Sequence, residues 1–331
     1  MKTNEKLKKK ISSLLIICAL FLLAGCSTGE SETTPVITGT PSTGSQTTPT
    51  SAESPTTKAE PDSTTIMKKF EALLTSKIST PKDVARFIGD NIGDISAKDA
   101  SKMILKFEEM QNEYRPVLDK KFYIGVIQSK FQQEDNFDID LSKPENFEDA
   151  DLRALIQETI DNGYKVERVE GSYFPVIDYS FYATFSTFAA EDIKEYLAIM
   201  TQESDKPSAK DGGLIIGWDE VIDRALRQES FIETYSYSER LTQVTKLYDR
   251  YVYFTFFGLP NTPLFDYETN VFMDYIRAAY EEAVTSNNDS LYIEDIHGFL
   301  EALSKNGYKL TEEVEKYINN INVTLSGKEH A

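Results

Sequence analysis

Imidazole and thiol chemistry have little to work with in this chain. Its only histidines are His297 and His330, and its only cysteines are Cys18 and Cys26. A metalloprotease H-E-x-x-H helix, a histidine-based triad and a multi-histidine metal site therefore all lack parts. His297 lies in Glu294-Asp295-Ile296-His297-Gly298-Phe299-Leu300, where helical spacing makes it a surface or half-buried side chain. Carboxylates are what remains, in a chain with 54 acidic and 35 basic residues. Two of them held about 5–10 Å apart suffice for glycoside hydrolysis, but the spacing nominates no pair. Asp219, Asp223 and Arg227 follow at i,i+4 steps, as do Glu220 and Arg224, the pattern of a solvated helix face laced with ion pairs.

Two strings come close to known chemistry and fall short. Ser79-Thr80-Pro81-Lys82 fits S-x-x-K, but the S-D-N and K-T-G partners of penicillin-interacting enzymes are absent, and a hydroxyl cap ahead of a proline explains it as a helix start. Asp138 to Asp149 places carboxylates at positions 1, 3 and 12 of a calcium loop, yet Lys143 stands where the turn requires glycine and Pro144 follows. It reads as a charged loop before a helix. No catalytic residue, metal or cofactor is indicated.

Cys26 has a different use. Lysines at 2, 6, 8, 9 and 10 precede an apolar run from Ile11 to Leu23, which is too short to span a bilayer core of about 30 Å. A basic head, a short apolar middle and small residues at its end describe a secretory signal over residues 1–25. Leu23-Ala24-Gly25-Cys26 resembles the lipobox of bacterial lipoproteins. The resemblance implies that Cys26 is acylated on sulfur and becomes the mature N-terminus, a stable anchor in the extracytoplasmic face of the cell membrane. Cys18 leaves with the signal, so the mature chain holds no disulfide and no thiolate metal site.

Ser, Thr, Pro and Gly dominate from Ser27 to Thr64, without one aromatic residue, so residues 26–65 are expected to form a disordered tether reaching on the order of 118 Å when extended. The formal charge of −19 becomes more negative once the basic head is lost. That argues against nucleic acid and against a polybasic hold on anionic lipid, and it keeps the body off the membrane at close approach.

Residues 66–325 carry a predominantly helical pattern. Thr80-Pro81 starts one helix ahead of Val84, Phe87 and Ile88, and Ser96 with Asp99 forms a capping box ahead of Met103, Ile104 and Phe107. Leu152, Leu155, Ile156 and Ile160 share a stripe, as do Ile193, Tyr196, Leu197 and Met200. Asn-Gly-Tyr-Lys occurs at 162–165 and 306–309, each time after a helical pattern, which favours a glycine stop over duplication. Tyr164 to Val169 and Tyr173 to Tyr179, joined at Glu170-Gly171, read as a small hairpin with Pro175 on an edge. Trp218 to Phe257 reads as two helices broken at Tyr235-Ser236-Tyr237-Ser238, and further helices run from Met273 to Val284, Leu291 to Lys305 and Glu312 to Ile321. The class is mainly α: a helical bundle or helical-hairpin array with a small β-hairpin. Aromatic runs such as Tyr251-Val252-Tyr253-Phe254-Thr255-Phe256-Phe257 suit a buried helix face better than an open groove.

Phe231, Tyr235 and Ser238 resemble the corner of tetratricopeptide-like helix pairs, which implies a partner-binding scaffold, although no second copy follows at the expected period. Glu203 to Pro207, Gly258 to Asn270 and Lys309 to Tyr317 resemble a group of uncharacterised lipoproteins of Gram-positive bacteria, which implies location and a helical body and brings no catalytic residues. The expected function is a binding or scaffold module for a protein or a cell-wall component. Trp218, Phe231, Tyr235, Asn261, Thr262 and Pro263 are the candidate partner surface. The alternatives are a wall hydrolase using carboxylates and the solute-binding lipoprotein of an importer, whose two α/β lobes would need more strands than the pattern supplies.

Overall fold

Side chains at the helix starts lay out the fold. In the computed structural model, which describes residues 63–136, 139–286 and 289–328, the Asp83 carboxylate accepts from the Thr80 amide at 3.0 Å and the Thr80 hydroxyl at 2.8 Å. Those bonds hold the Asp83 carboxyl below its usual range. Pro81 occupies the first turn, where a missing N–H costs nothing. Ser96 accepts from the Asp99 amide at 3.1 Å and donates to the Asp99 carboxylate at 2.8 Å. Ser96→Ala is expected to lower stability by about 1 kcal/mol, and Ser96→Gly by only a few tenths, in urea unfolding.

The described residues fall in one unit, Pro61–Ala331. They form α1 (Ser63–Leu74), α2 (Pro81–Asn91), α3 (Ala97–Phe122), α4 (Ile127–Glu134), α5 (Ala150–Asp161), β1 (Tyr164–Val169), β2 (Ser172–Ile177), α6 (Ala183–Ser186) and α7 (Glu191–Asp205). After these come β3 (Ala209–Lys210), β4 (Gly213–Leu214), α8 (Trp218–Thr234), α9 (Leu241–Phe257), α10 (Asp274–Ser286), α11 (Leu291–Lys305) and α12 (Glu312–Lys328). The mainly α class with a small hairpin is what the structure has. The signal segment with Leu23, Ala24, Gly25 and Cys26 lies outside the described residues, as do most of the expected tether, Asp138 and His330. α1 begins at Ser63, inside the stretch given to the tether. A contact far along the chain holds it there: the Ser63 hydroxyl donates to Asp99 at 3.0 Å, while Ile66 and Phe70 are buried.

β1 and β2 pair antiparallel, Tyr164 opposite Ile177 and Val169 opposite Ser172, with Glu170 and Gly171 both at positive φ as a two-residue turn demands. Pro175 sits opposite Val166 in a sheet of two edge strands. The second strand ends at Ile177 rather than Tyr179, because Asp178 accepts from the Ser180 amide and hydroxyl and opens a 3-10 turn. Both Asn-Gly-Tyr-Lys copies are helix stops, with Gly163 at φ 77° and Gly307 at φ 62°.

Two apolar cores share α3. The larger gathers Ile66, Ile88, Phe107, Val221, Tyr251, Ile276, Phe299 and their neighbours from both ends of the described chain. The smaller joins Leu118 and Phe122 at the end of α3 to Phe131, Ile156, Tyr164 and Tyr173. Phe131 stacks on Tyr173 with centroids 4.6 Å apart. Pro116, which removes one helical hydrogen bond, lies where α3 passes from one core to the other.

Candidate functional site

Along α3, two polar residues one turn apart collect bonds from distant segments. Glu108, 4% exposed, accepts through Oε1 from the hydroxyls of Tyr179 and Tyr196, and through Oε2 from Arg240 Nε at 3.1 Å and Nη2 at 2.7 Å. Arg240 also lies over the Tyr196 ring, 5.5 Å from its centroid. Gln111, fully buried, accepts from Tyr182 and donates to the carbonyls of Asn162 at 2.9 Å and Gly163 at 3.0 Å, while its own carbonyl accepts from Tyr164. An ionised carboxylate has about four acceptor positions, and Glu108 has all of them filled. It is a clamp, with no lone pair left over for proton transfer.

Burial above all holds the hydroxyls of Tyr179, Tyr182 and Tyr196 well above the ordinary tyrosine range, and the Glu108 charge adds to it. The folded state favours their neutral forms more strongly than the unfolded state does. The stability they contribute is therefore fully present below about pH 10, the unfolded value, and falls as the pH rises above it. In an alkaline titration, phenolate absorbance from these three residues is expected to appear together with loss of helical circular dichroism. Exposed tyrosines such as Tyr123 and Tyr267 add absorbance of their own, so the contradicting result is ionisation of all 18 tyrosines at unchanged helicity.

Two other buried carboxylates, Glu229 and Asp135, are engaged in the same way. Glu229 accepts from the Ser290 hydroxyl at 2.5 Å and the Tyr292 amide at 3.0 Å, fixing the start of α11. Asp135 accepts from Arg168 and from Tyr173 at 2.6 Å. Glu220 pairs with Arg224 at 2.5 Å, as the i,i+4 spacing predicts, and Asp219 and Asp223 are exposed as expected, but the Arg224 end of the pair is not solvated. Arg224 is 1% exposed and reaches Glu203 at 3.0 Å and Tyr251 at 3.1 Å. Arg227 binds Glu195 on α7 at 2.6 Å instead of Asp223. In the charged loop, Asp140 accepts from Ser142 and pairs with Lys143, and Asp149 caps α5. Among the described residues, no group of three or more His, Cys, Asp or Glu could hold a metal.

Trp218 and Phe231 do not belong to a partner surface. Trp218 is 6% and Phe231 1% exposed, the first edge-on to Tyr280 at 6.0 Å and the second against Tyr235 at 5.2 Å. Both are buried in the larger core, where packing consumes their apolar area. Tyr235 is half-buried at the corner, and Ser238 accepts from the Arg240 amide there.

Asn261, Thr262 and Pro263 are brought to the surface on a braced loop. Asn261 donates to the carbonyls of Asp211 and Gly212 at 2.5 and 2.9 Å, and the Thr262 hydroxyl accepts from the Leu214 amide at 2.9 Å. The two loops approach so closely that a β-carbon on Gly213 would lie 3.2 Å from that of Asn261. Asp266 accepts from Thr269 and Glu268, bonds that hold its carboxyl low, and Tyr267, 60% exposed, donates to the Pro260 carbonyl. Ile215, beside β4, is 49% exposed. These bonds fix the loop and leave an aromatic side chain, Tyr267, at the surface.

His297 is exposed on α11, its Nε2 3.9 Å from Glu301, in a shallow hollow of about 320 Å³ shared with Thr285 and Ser304. Among the described residues it makes no bond to a hydroxyl that would create a nucleophile. Lys82 of the S-x-x-K string binds Asp161 at 2.7 Å. The described strands form two separate two-stranded sheets rather than α/β lobes. One surface was missed in the sequence: Tyr123, Ile124 and Val126, the turn between α3 and α4, are 58–64% exposed. Its signal was the apolar run Phe122-Tyr123-Ile124-Gly125-Val126-Ile127 across a helix junction. No protein-family model, curated protein or solved structure matches the chain.

Proposed function

We propose that the protein is a lipid-anchored, extracytoplasmic lipoprotein whose helical body binds a protein or cell-wall component without chemistry of its own. The observation that carries the anchor is Leu23-Ala24-Gly25-Cys26 at the end of a short apolar run behind a basic head. No helix among the described residues is long and apolar enough to cross a membrane, so attachment would rest on the acyl chains. Binding is supported by the braced loop at Asn261 to Tyr267 with its exposed aromatic, and by carboxylates turned inward onto tyrosine and arginine.

Cys26→Ala is expected to abolish incorporation of labelled fatty acid and to release the protein from the membrane fraction or leave it unprocessed. A normally processed, membrane-bound Cys26→Ala protein would sink the anchor. Crosslinking on intact cells, with capture of the tagged lipidated chain, tests the body: one reproducible partner, lost on Asn261→Ala and Tyr267→Ala, is the expected result. Release of reducing sugar or peptide from purified wall, stopped by a paired carboxylate substitution, would replace binding with hydrolysis.

A further inference from the structure

We infer that the turn between α3 and α4 dips into the lipid interface of the membrane that holds the anchor; this rests on the anchor proposed above. Tyr123 is 58%, Ile124 64% and Val126 61% exposed, and Val117, on the preceding turns of α3, is 48% exposed. Gly125 between them has φ 61°, and a β-carbon built on it would meet nothing within 4 Å, so the turn stands in open space. Three large apolar side chains in four consecutive residues form a knob too narrow for a protein interface, which takes about 800 Å² per partner. A bilayer accepts an isolated knob, and a tyrosine is suited to its headgroup level.

Charge and chain length agree with that occupant. Lys120, exposed in the last turn of α3 beside the knob, supplies a basic side chain for lipid phosphates in a chain whose net charge is −19, while Lys121 next to it is held by Glu158 at 2.5 Å. The body as a whole is repelled by an anionic surface, so contact is confined to this end. Ser63, bonded to Asp99 at the start of α3, marks the opposite end, since a helix of 26 residues is about 39 Å long. The chain from Cys26 to Ser63 can extend to roughly 120 Å at about 3.3 Å per residue, enough to return over the length of α3. A weak knob becomes effective because the anchor raises its concentration at the surface.

After acylation of Cys26 the mature chain has no other thiol, so a cysteine placed by substitution is a unique labelling site. Full-length lipidated Ile124→Cys and Ile78→Cys proteins, the latter at a side chain 90% exposed on the α1–α2 connection, would carry an environment-sensitive fluorophore in phosphatidylcholine–phosphatidylglycerol vesicles. The expected result is quenching by brominated lipid and a blue shift at 124, with neither at 78, and loss of both when Val126→Asp is added to Ile124→Cys. A label at 124 that stays as open to an aqueous quencher as the one at 78 overturns the inference while leaving the anchor standing. Protection at 124 in cells but not in vesicles also overturns it, in favour of a protein partner. Failure of the lipidated chain to float with vesicles would reject the anchor itself, and this reading with it.

Discussion

Replacing Glu108 with alanine is expected to remove about 3–5 kcal/mol of folding stability, because it leaves a buried guanidinium without its counter-charge. Arg240 is 8% exposed and gives Nε and Nη2 to this one carboxylate, so after the change it faces an apolar gap it cannot leave. Tyr179 and Tyr196 lose their acceptor in the same step, and each buried unpaired hydroxyl carries its own penalty. Loss on this scale is a large share of what a domain possesses. Arg240→Ala should cost a comparable amount for the mirror reason. Glu108→Leu combined with Arg240→Met should cost much less than the two single changes together, since it removes both charges at once. Urea unfolding of the four proteins would measure it. A Glu108→Ala protein within about 1 kcal/mol of the parent would mean that the network does not hold the core.

Gly163→Ala and Gly307→Ala are expected to differ sharply although both glycines sit in Asn-Gly-Tyr-Lys at a helix stop. Gly163 has φ 77°, and a β-carbon there would lie 2.5 Å from Gln111 Nε2 and 3.2 Å from the Phe181 ring. Gln111 cannot swing aside without dropping its bonds to Asn162 and Gly163 and its acceptance from Tyr182. Left-handed strain and overpacking together put the cost of Gly163→Ala at about 2–4 kcal/mol. Gly307 has φ 62° with nothing within 4 Å of its β-carbon, so only the backbone strain of about 1–2 kcal/mol applies. Equal destabilisation in thermal unfolding would contradict the packing around Gly163.

What could be read from residues alone was what a turn or two of chain can decide. Thr80-Pro81-Asp83 starts a helix through atoms three residues apart, Glu170-Gly171 reverses a strand through its own φ angles, and Asn162-Gly163 stops a helix through the left-handed backbone. The α8–α9 hairpin was legible for the same reason, its apolar stripes repeating with the helix period. The short apolar run ending at Cys26 is likewise a local signal, and the anchor proposed from it owes nothing to tertiary contacts. Tertiary structure decided which faces are inside. Arg224 and Arg227 follow their acids at the same i,i+4 spacing, yet one is fully buried between Glu203, Glu220 and Tyr251 while the other reaches Glu195 on another helix. Trp218 and Phe231 could have been surface anchors until α8 packed them inward. Glu108 carries no mark in its own neighbourhood, because its partners lie 71, 88 and 132 residues away. Burial is a property of elements packed together, and only the folded chain brings those elements within hydrogen-bonding distance.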